Sequence, residues 1–164
     1  MSTDTLTTDR KAFLHGVFTT ALEGGIGYWS ECSDYHWCND DDTDALDGFY
    51  AVIHPPYDRF ADEQMGWGIF ADKESGDTPE DLAPLRIDLN VMAHGAKLMN
   101  WFVQGLIDGD GKQVPLDQIK PWRDDHYYWQ YVQAYNSNGQ DGDYDAGVAD
   151  MVVQFGLFGS VVYG

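Results

Sequence analysis

Two cysteines and a histidine fall close together in Cys32-Ser33-Asp34-Tyr35-His36-Trp37-Cys38, and Cys and His are side chains that bind zinc. Their spacing works against a single ion. The flanking Tyr and Trp residues favour a strand, and in a straight strand Cys32 and Cys38 stand roughly 20 Å apart at about 3.3 Å per residue. A site would need a bend at Ser33 or Asp34 and a further ligand such as His54. Packed or half-exposed side chains are the preferred reading, and no metal and no cofactor is expected.

Asp108-Gly109-Asp110-Gly111 and Asp141-Gly142-Asp143-Tyr144-Asp145 look like pieces of calcium loops. An EF-hand needs Gly at loop position six and Glu at position twelve. Counted from Asp141, those positions hold Ala146 and Val152, so a turn followed by a capped helix is expected instead. Glu23 with Glu31, or Asp124 with Asp125, are residue types suited to acid–base work. The five histidines (15, 36, 54, 94 and 126) are scattered. No nucleophile elbow, phosphate loop or dinucleotide fingerprint is present. No catalytic residue is assigned, and an enzyme is not the expected outcome. Residues 121–135 are rich in Tyr and Trp, which stack on bases in single-strand binders. Arg123 is almost the only cation there, so a packed aromatic helix is favoured, with a protein-binding surface second.

Charge is the stronger signal. The chain of 164 residues carries 28 acidic side chains against 9 Lys and Arg, a formal net charge of -19. Such a surface repels nucleic acid and anionic membranes and attracts basic proteins. Direct nucleic-acid or membrane binding is therefore not expected. Twenty-three of the acids are Asp, a residue of turns and helix N-caps, so the charge belongs on loops and helix starts. A chain of this length has a radius of gyration of roughly 15 Å. It could face about ten base pairs of DNA, which carry about 20 phosphates. This suggests a nucleic-acid mimic that binds a basic or DNA-binding protein. The candidate partner-binding carboxylates are Asp40, Asp41, Asp42, Asp44 and Asp47, then Asp72, Glu74, Asp77, Glu80 and Asp81, then Asp141, Asp143 and Asp145, with the last group running on to Asp150.

Three other readings compete. The acidity could serve solubility or a salty cell. A small-molecule or metal-binding domain, enzymatic or not, could use a pocket at the helix–strand corner of Glu23, Tyr28, Trp29 and Glu31. A structural or assembly protein with an acidic surface would show a large apolar patch and a stable oligomer.

The elements that must position these groups follow from pattern. Residues 1–8 read as a disordered lead-in and 9–164 as a single acidic domain. Thr8 or Asp9 caps a helix to about Glu23, with Phe13, Leu14, Val17, Phe18, Ala21 and Leu22 on one face. Gly24 and Gly25 end it. The stretch 27–38 reads as a strand with Trp29, Glu31, Ser33, Tyr35 and Trp37 on one face. Residues 48–54 form its antiparallel partner, 66–70 a third short strand and 85–87 another. Asp88 or Asn90 caps a helix to about Gln104, in which Gly95 would admit another backbone. Further helices run from Pro121 to about Tyr135 and from Asp145 to Gly159, and Val161–Tyr163 is expected as a closing strand. The fold class is α+β, a small antiparallel sheet of three to four strands packed against about four helices. Residues 1–10 lack the pattern of a signal peptide, and no apolar run approaches the roughly 20 residues of a membrane span. The expected location is the host cytoplasm.

Three segments carry a resemblance: Leu22-Glu23-Gly24-Gly25-Ile26-Gly27-Tyr28-Trp29, the acidic start of the last helix at 143–150, and Gln154-Phe155-Gly156-Leu157-Phe158-Gly159-Ser160-Val161-Val162-Tyr163-Gly164. In these the chain resembles a group of small acidic proteins of actinobacterial phages, plasmids and chromosomes. The segments cover less than a third of the chain. The resemblance implies a mobile-element setting and no activity, and it would make the mimic's target a host defence nuclease or another DNA-binding protein.

Overall fold

Thr7, rather than Thr8 or Asp9, starts the first helix, α1 (Thr8–Gly24): its side-chain oxygen accepts from Arg10 N at 3.1 Å. The computed structural model describes residues 6–37, 47–54, 84–120 and 126–163. Phe13, Leu14, Val17, Phe18 and Ala21 of α1 are buried, as their helical spacing predicts. The helix ends at Gly24, with Gly25 as its C-cap.

A three-stranded antiparallel sheet follows, in the order β1 (Glu31–His36), β2 (Tyr50–His54) and β3 (Leu85–Asp88). The expected alternation along β1 fails. Cys32 pairs with Ile53 and Asp34 with Val52, so Ser33 is an extra, bulged residue. Beyond the bulge the faces exchange. Tyr35 therefore lies opposite buried Ala51, on the same side as Cys32 opposite buried Ile53. Glu31, Asp34 and His36 take the other side. There His36 stacks on Tyr50 at 4.4 Å, and the Arg86 guanidinium lies 4.0 Å from the Tyr50 ring centroid. The strand expected at 66–70 lies outside the described residues, as do residues 1–5 of the lead-in.

β3 runs directly into α2 (Leu89–Val103). Asp88 ends the strand and caps the helix, accepting from Val91 N at 3.1 Å. Met92, Ala96, Met99 and Val103 are fully buried. After α2, residues 105–114 form a tight turn in which Asp108 Oδ1 accepts from Asp110 N and Lys112 N, both at 3.0 Å. A short 3-10 turn, Leu116–Gln118, precedes α3 (His126–Ser137). The expected start of α3 at Pro121 lies outside the described residues. Asp145 caps α4 (Ala146–Phe158) by accepting from Val148 N at 2.9 Å, and Gly159 closes it at φ 70.

The helices pack on one another, α1, α2 and α4 mutually and α3 on α2, and the sheet meets them through β3 on α2 and α4 and through Tyr35 of β1 on Phe18 of α1. The deepest packing is α2 on α4. A Cβ on Gly95 would run into the Val152 carbonyl, and one on Gly156 into the Val91 carbonyl, so both glycines let the two backbones touch. Tyr131 of α3 is fully buried and donates to Ala96 O of α2 at 2.7 Å. The expected closing strand is not formed. Val162 N and Tyr163 N are instead held by the Gln154 side chain, and Val161 N donates to Gly109 O at 2.7 Å.

Candidate functional site

The corner after α1 and the end of the chain meet at a buried carboxylate. Gly25 ends α1, and Trp29 N and Ser30 N both donate back to Ile26 O, at 3.2 and 3.1 Å. This turn swings Trp29 into the core, where it is fully buried. Its indole N–H donates to Asp150 Oδ1 at 2.8 Å, and the Tyr28 hydroxyl donates to Asp150 Oδ2 at 2.7 Å. Gln154, one helical turn beyond Asp150, donates to Oδ1 at 3.0 Å. Asp150 is 6% exposed. No described cation lies within ion-pair distance of it. Burial raises its pKa, and the hydrogen bonds from Tyr28, Gln154 and Trp29 pull it part of the way back.

Gln154 uses its whole amide. Its oxygen accepts from Val162 N and Tyr163 N, both at 2.8 Å, and its nitrogen donates to Tyr163 O at 3.0 Å as well as to Asp150. The Tyr163 ring then stacks on Trp29 with centroids 4.8 Å apart and 8° between planes. The corner at 28–29, the first turns of α4 and the segment 154–163 therefore converge on one buried polar cluster. Burial pushes the Tyr163 hydroxyl up to about 12, and burial and Asp150 together push Tyr28 higher still. Both phenols stay neutral, and Tyr28 acts as a hydrogen-bond donor to Asp150, which suits a clamp and not a nucleophile.

In comparisons with protein-family models, curated proteins and solved structures, nothing matches the chain.

The expected corner residues thus part company. Trp29 is core and Tyr28 is bonded to Asp150 and to Tyr163 O. Glu23 and Glu31 are exposed. Glu23 accepts a long contact from Tyr35 at 3.5 Å, and burial together with the Glu23 charge pushes that phenol up to about 12. Glu31 pairs across the sheet with His54.

Among the thirteen described carboxylates, eleven are exposed, Asp88 is half-buried and Asp150 is buried. Asp150 is therefore not among the surface acids with which the last loop was grouped. Among the described residues, ion pairs join only Asp34 to His36 (3.3 Å), Asp47 to Lys11 (3.5 Å) and Asp88 to Arg86 (3.7 Å). Asp47 is thus partnered, and Asp145 is committed to its cap. Asp141 and Asp143 are exposed and carry no ion pair among the described residues. Asp9, Asp108, Asp110 and Asp117 extend the acidic surface beyond the loops singled out from sequence. Asp40, Asp41, Asp42, Asp44, Asp72, Glu74, Asp77, Glu80 and Asp81 lie outside the described residues.

Of the cysteines, Cys32 is described. Its thiol sits 3.2 Å from Asp34 O, and desolvation raises its pKa, which disfavours a reactive thiolate. Among the described residues no three His, Cys, Asp or Glu side chains gather as a metal site. No described helix is long and apolar enough to cross a membrane. The sequence reading missed Gln154 and the burial of Asp150. Their signal was a polar pair four residues apart inside the apolar run Val148–Phe155.

Proposed function

We propose that this protein is a non-enzymatic acidic binding protein, a nucleic-acid mimic whose surface carboxylates dock a basic or DNA-binding partner. The observation that carries this reading is the unneutralised surface: eleven described carboxylates are exposed, and two of these, Asp34 and Asp47, have an ion-pair partner. Exposed ion pairs contribute only about 0–1 kcal/mol each, and clustered like charges oppose compaction. The acids are thus poor candidates for a stabilising role and good ones for steering a cationic surface. A mobile-element setting makes a host defence nuclease or another DNA-binding protein the fitting target.

The test is capture from a host lysate on the immobilised full chain, at about 0.1 M and then about 1 M salt, where the Debye length falls from about 10 Å to about 3 Å. The reading expects a discrete basic partner held at low salt, released at high salt and displaced by a short DNA duplex. A partner that stays bound at high salt, or capture that duplex DNA leaves untouched, removes it.

One observation favours the assembly reading. An apolar groove of about 330 Å³ is lined by Trp101, Leu106, Ile107, Val114, Leu116 and Ile119 among others, and Leu116 is 86% exposed. Light scattering decides it: a stable oligomer lost in Leu116→Glu supports assembly, and a monomer at high concentration excludes it.

A further inference from the structure

We propose that the crevice between α1, α2 and α3 is a binding site for a small carboxylate with a short apolar tail. The crevice, about 50 Å³, is walled by Leu6, Leu14, Ala93, Ala96 and Tyr135 and carries Arg10 and Lys97. It adjoins a larger hollow of about 210 Å³, which shares Ala93 and Lys97 and adds Asn90 and His94. The ionisable side chains among these described lining residues are all cationic or imidazole apart from the Tyr135 phenol. Among the described residues, which include thirteen carboxylates, none of these acids lines either space.

Three described cations are half-buried. Lys11 has Asp47 at 3.5 Å. Arg10 and Lys97 have no carboxylate within ion-pair distance among the described residues, and both line the same crevice. Arg10 lies over the Tyr135 ring at 4.3 Å and Lys97 over Trp101 at 4.7 Å. Such faces hold a cation in place without neutralising it. The Arg10 Nη1 is buried and donates to no acceptor among the described residues, and a buried donor left unpaired is costly. Two cations sharing a crevice, one with an orphaned donor, are the complement of an anion's oxygen atoms. A guanidinium presents paired donors that suit a carboxylate. The leucine and alanine walls supply the apolar counterpart. Both spaces fall below the roughly 300–1,000 Å³ of drug-sized sites, so the ligand is small. The site is independent of the acidic surface, since an anionic ligand and a basic partner call for opposite charge.

The test is an NMR titration of the full chain with sodium butyrate at about 0.15 M ionic strength, where screening limits repulsion from the acidic surface beyond about 8 Å. Butyramide serves as the neutral isostere and inorganic phosphate as the alternative anion. The proposal expects saturable shifts at Ala93, Ala96 and Tyr135 with butyrate, none with butyramide, and affinity at least about tenfold weaker in Arg10→Gln and Lys97→Gln, as the loss of a charge-assisted bond implies. Lys112→Gln leaves it unchanged. Should loss of the Arg10 stack on Tyr135 unfold that variant, Lys97→Gln carries the test alone. No saturable shift, equal binding of butyramide, or wild-type affinity in folded Lys97→Gln overturns the site. Phosphate binding tighter than butyrate overturns the carboxylate assignment.

Discussion

The indole N–H of Trp29 donates to the Asp150 carboxylate at 2.8 Å, joining positions 121 residues apart. This bond fixes the corner after α1 to the buried side of α4. Asp150→Ala would strand the Trp29 donor and one of the two amide hydrogens of Gln154. A buried donor left unsatisfied costs about 1–3 kcal/mol, so the expected loss is about 2–4 kcal/mol in urea denaturation. Asp150→Asn keeps an acceptor for Trp29 and Gln154, and the Tyr28 hydroxyl retains Tyr163 O at 3.2 Å. Its expected change is within about 1 kcal/mol. Equal losses in the two variants would contradict the hydrogen-bond account.

The same pair sets a pH dependence. Burial raises the Asp150 carboxyl from its ordinary 3.8. A group whose folded value exceeds its unfolded value favours the native state most when it is protonated in both. That contribution is fully present below 3.8 and is lost as pH rises through the folded value. The stability of the wild type minus that of Asp150→Asn should therefore fall as pH is raised from about 4 and then level off. Taking the difference cancels the titration of the other acids. A difference that grows with pH would show that the hydrogen bonds outweigh desolvation.

Gly95 and Gly156 let the α2 and α4 backbones touch. Alanine is the better helix former by about 1 kcal/mol, so an open site would gain stability from the substitution. At this crossing the backbone must move, and overpacking of this kind costs typically about 1–3 kcal/mol. Gly95→Ala and Gly156→Ala are each expected to lower the urea midpoint. An unchanged or raised midpoint would mean the helices separate freely.

Gln154 holds the end of the chain through Val162 N and Tyr163 N. Gln154→Ala removes both acceptor contacts. Hydrogen exchange at these two amides should accelerate by roughly tenfold or more, the equivalent of one lost hydrogen bond of about 1.4 kcal/mol. The amides of α2 should change far less. Uniform acceleration across the chain would point to global destabilisation instead of a local clamp.

Much of the frame was legible because it rests on local chemistry. Asp88 and Asp145 accept from the third residue beyond each, as N-caps do, and Gly159 takes the left-handed conformation that ends α4. The buried faces of α1 and α2 followed from spacing. The rest depends on partners distant in sequence. Alternation along β1 cannot reveal that Ser33 is bulged, because the slip is defined by pairing with β2. Asp150 reads as one more surface acid until Tyr28, Trp29 and Gln154 surround it. Val161–Tyr163 has the composition of a strand, yet its backbone N–H groups donate to a glutamine side chain and, for Val161, to Gly109 O. Of the carboxylates proposed to meet a partner, Asp47, Asp141, Asp143 and Asp145 are described, and Asp141 and Asp143 are the two left without a cap or an ion pair.

Whether the proposed acidic surface takes the place of a nucleic acid is decided by competition on the purified captured partner. Its binding to a labelled DNA duplex is measured against increasing concentrations of this chain, at two salt concentrations. The account predicts mutually exclusive binding: duplex is released as the chain is added, both complexes weaken with salt, and Asp141→Asn with Asp143→Asn competes less well. A ternary complex that keeps the duplex bound, or undiminished competition by the double variant together with salt-insensitive binding, would contradict it.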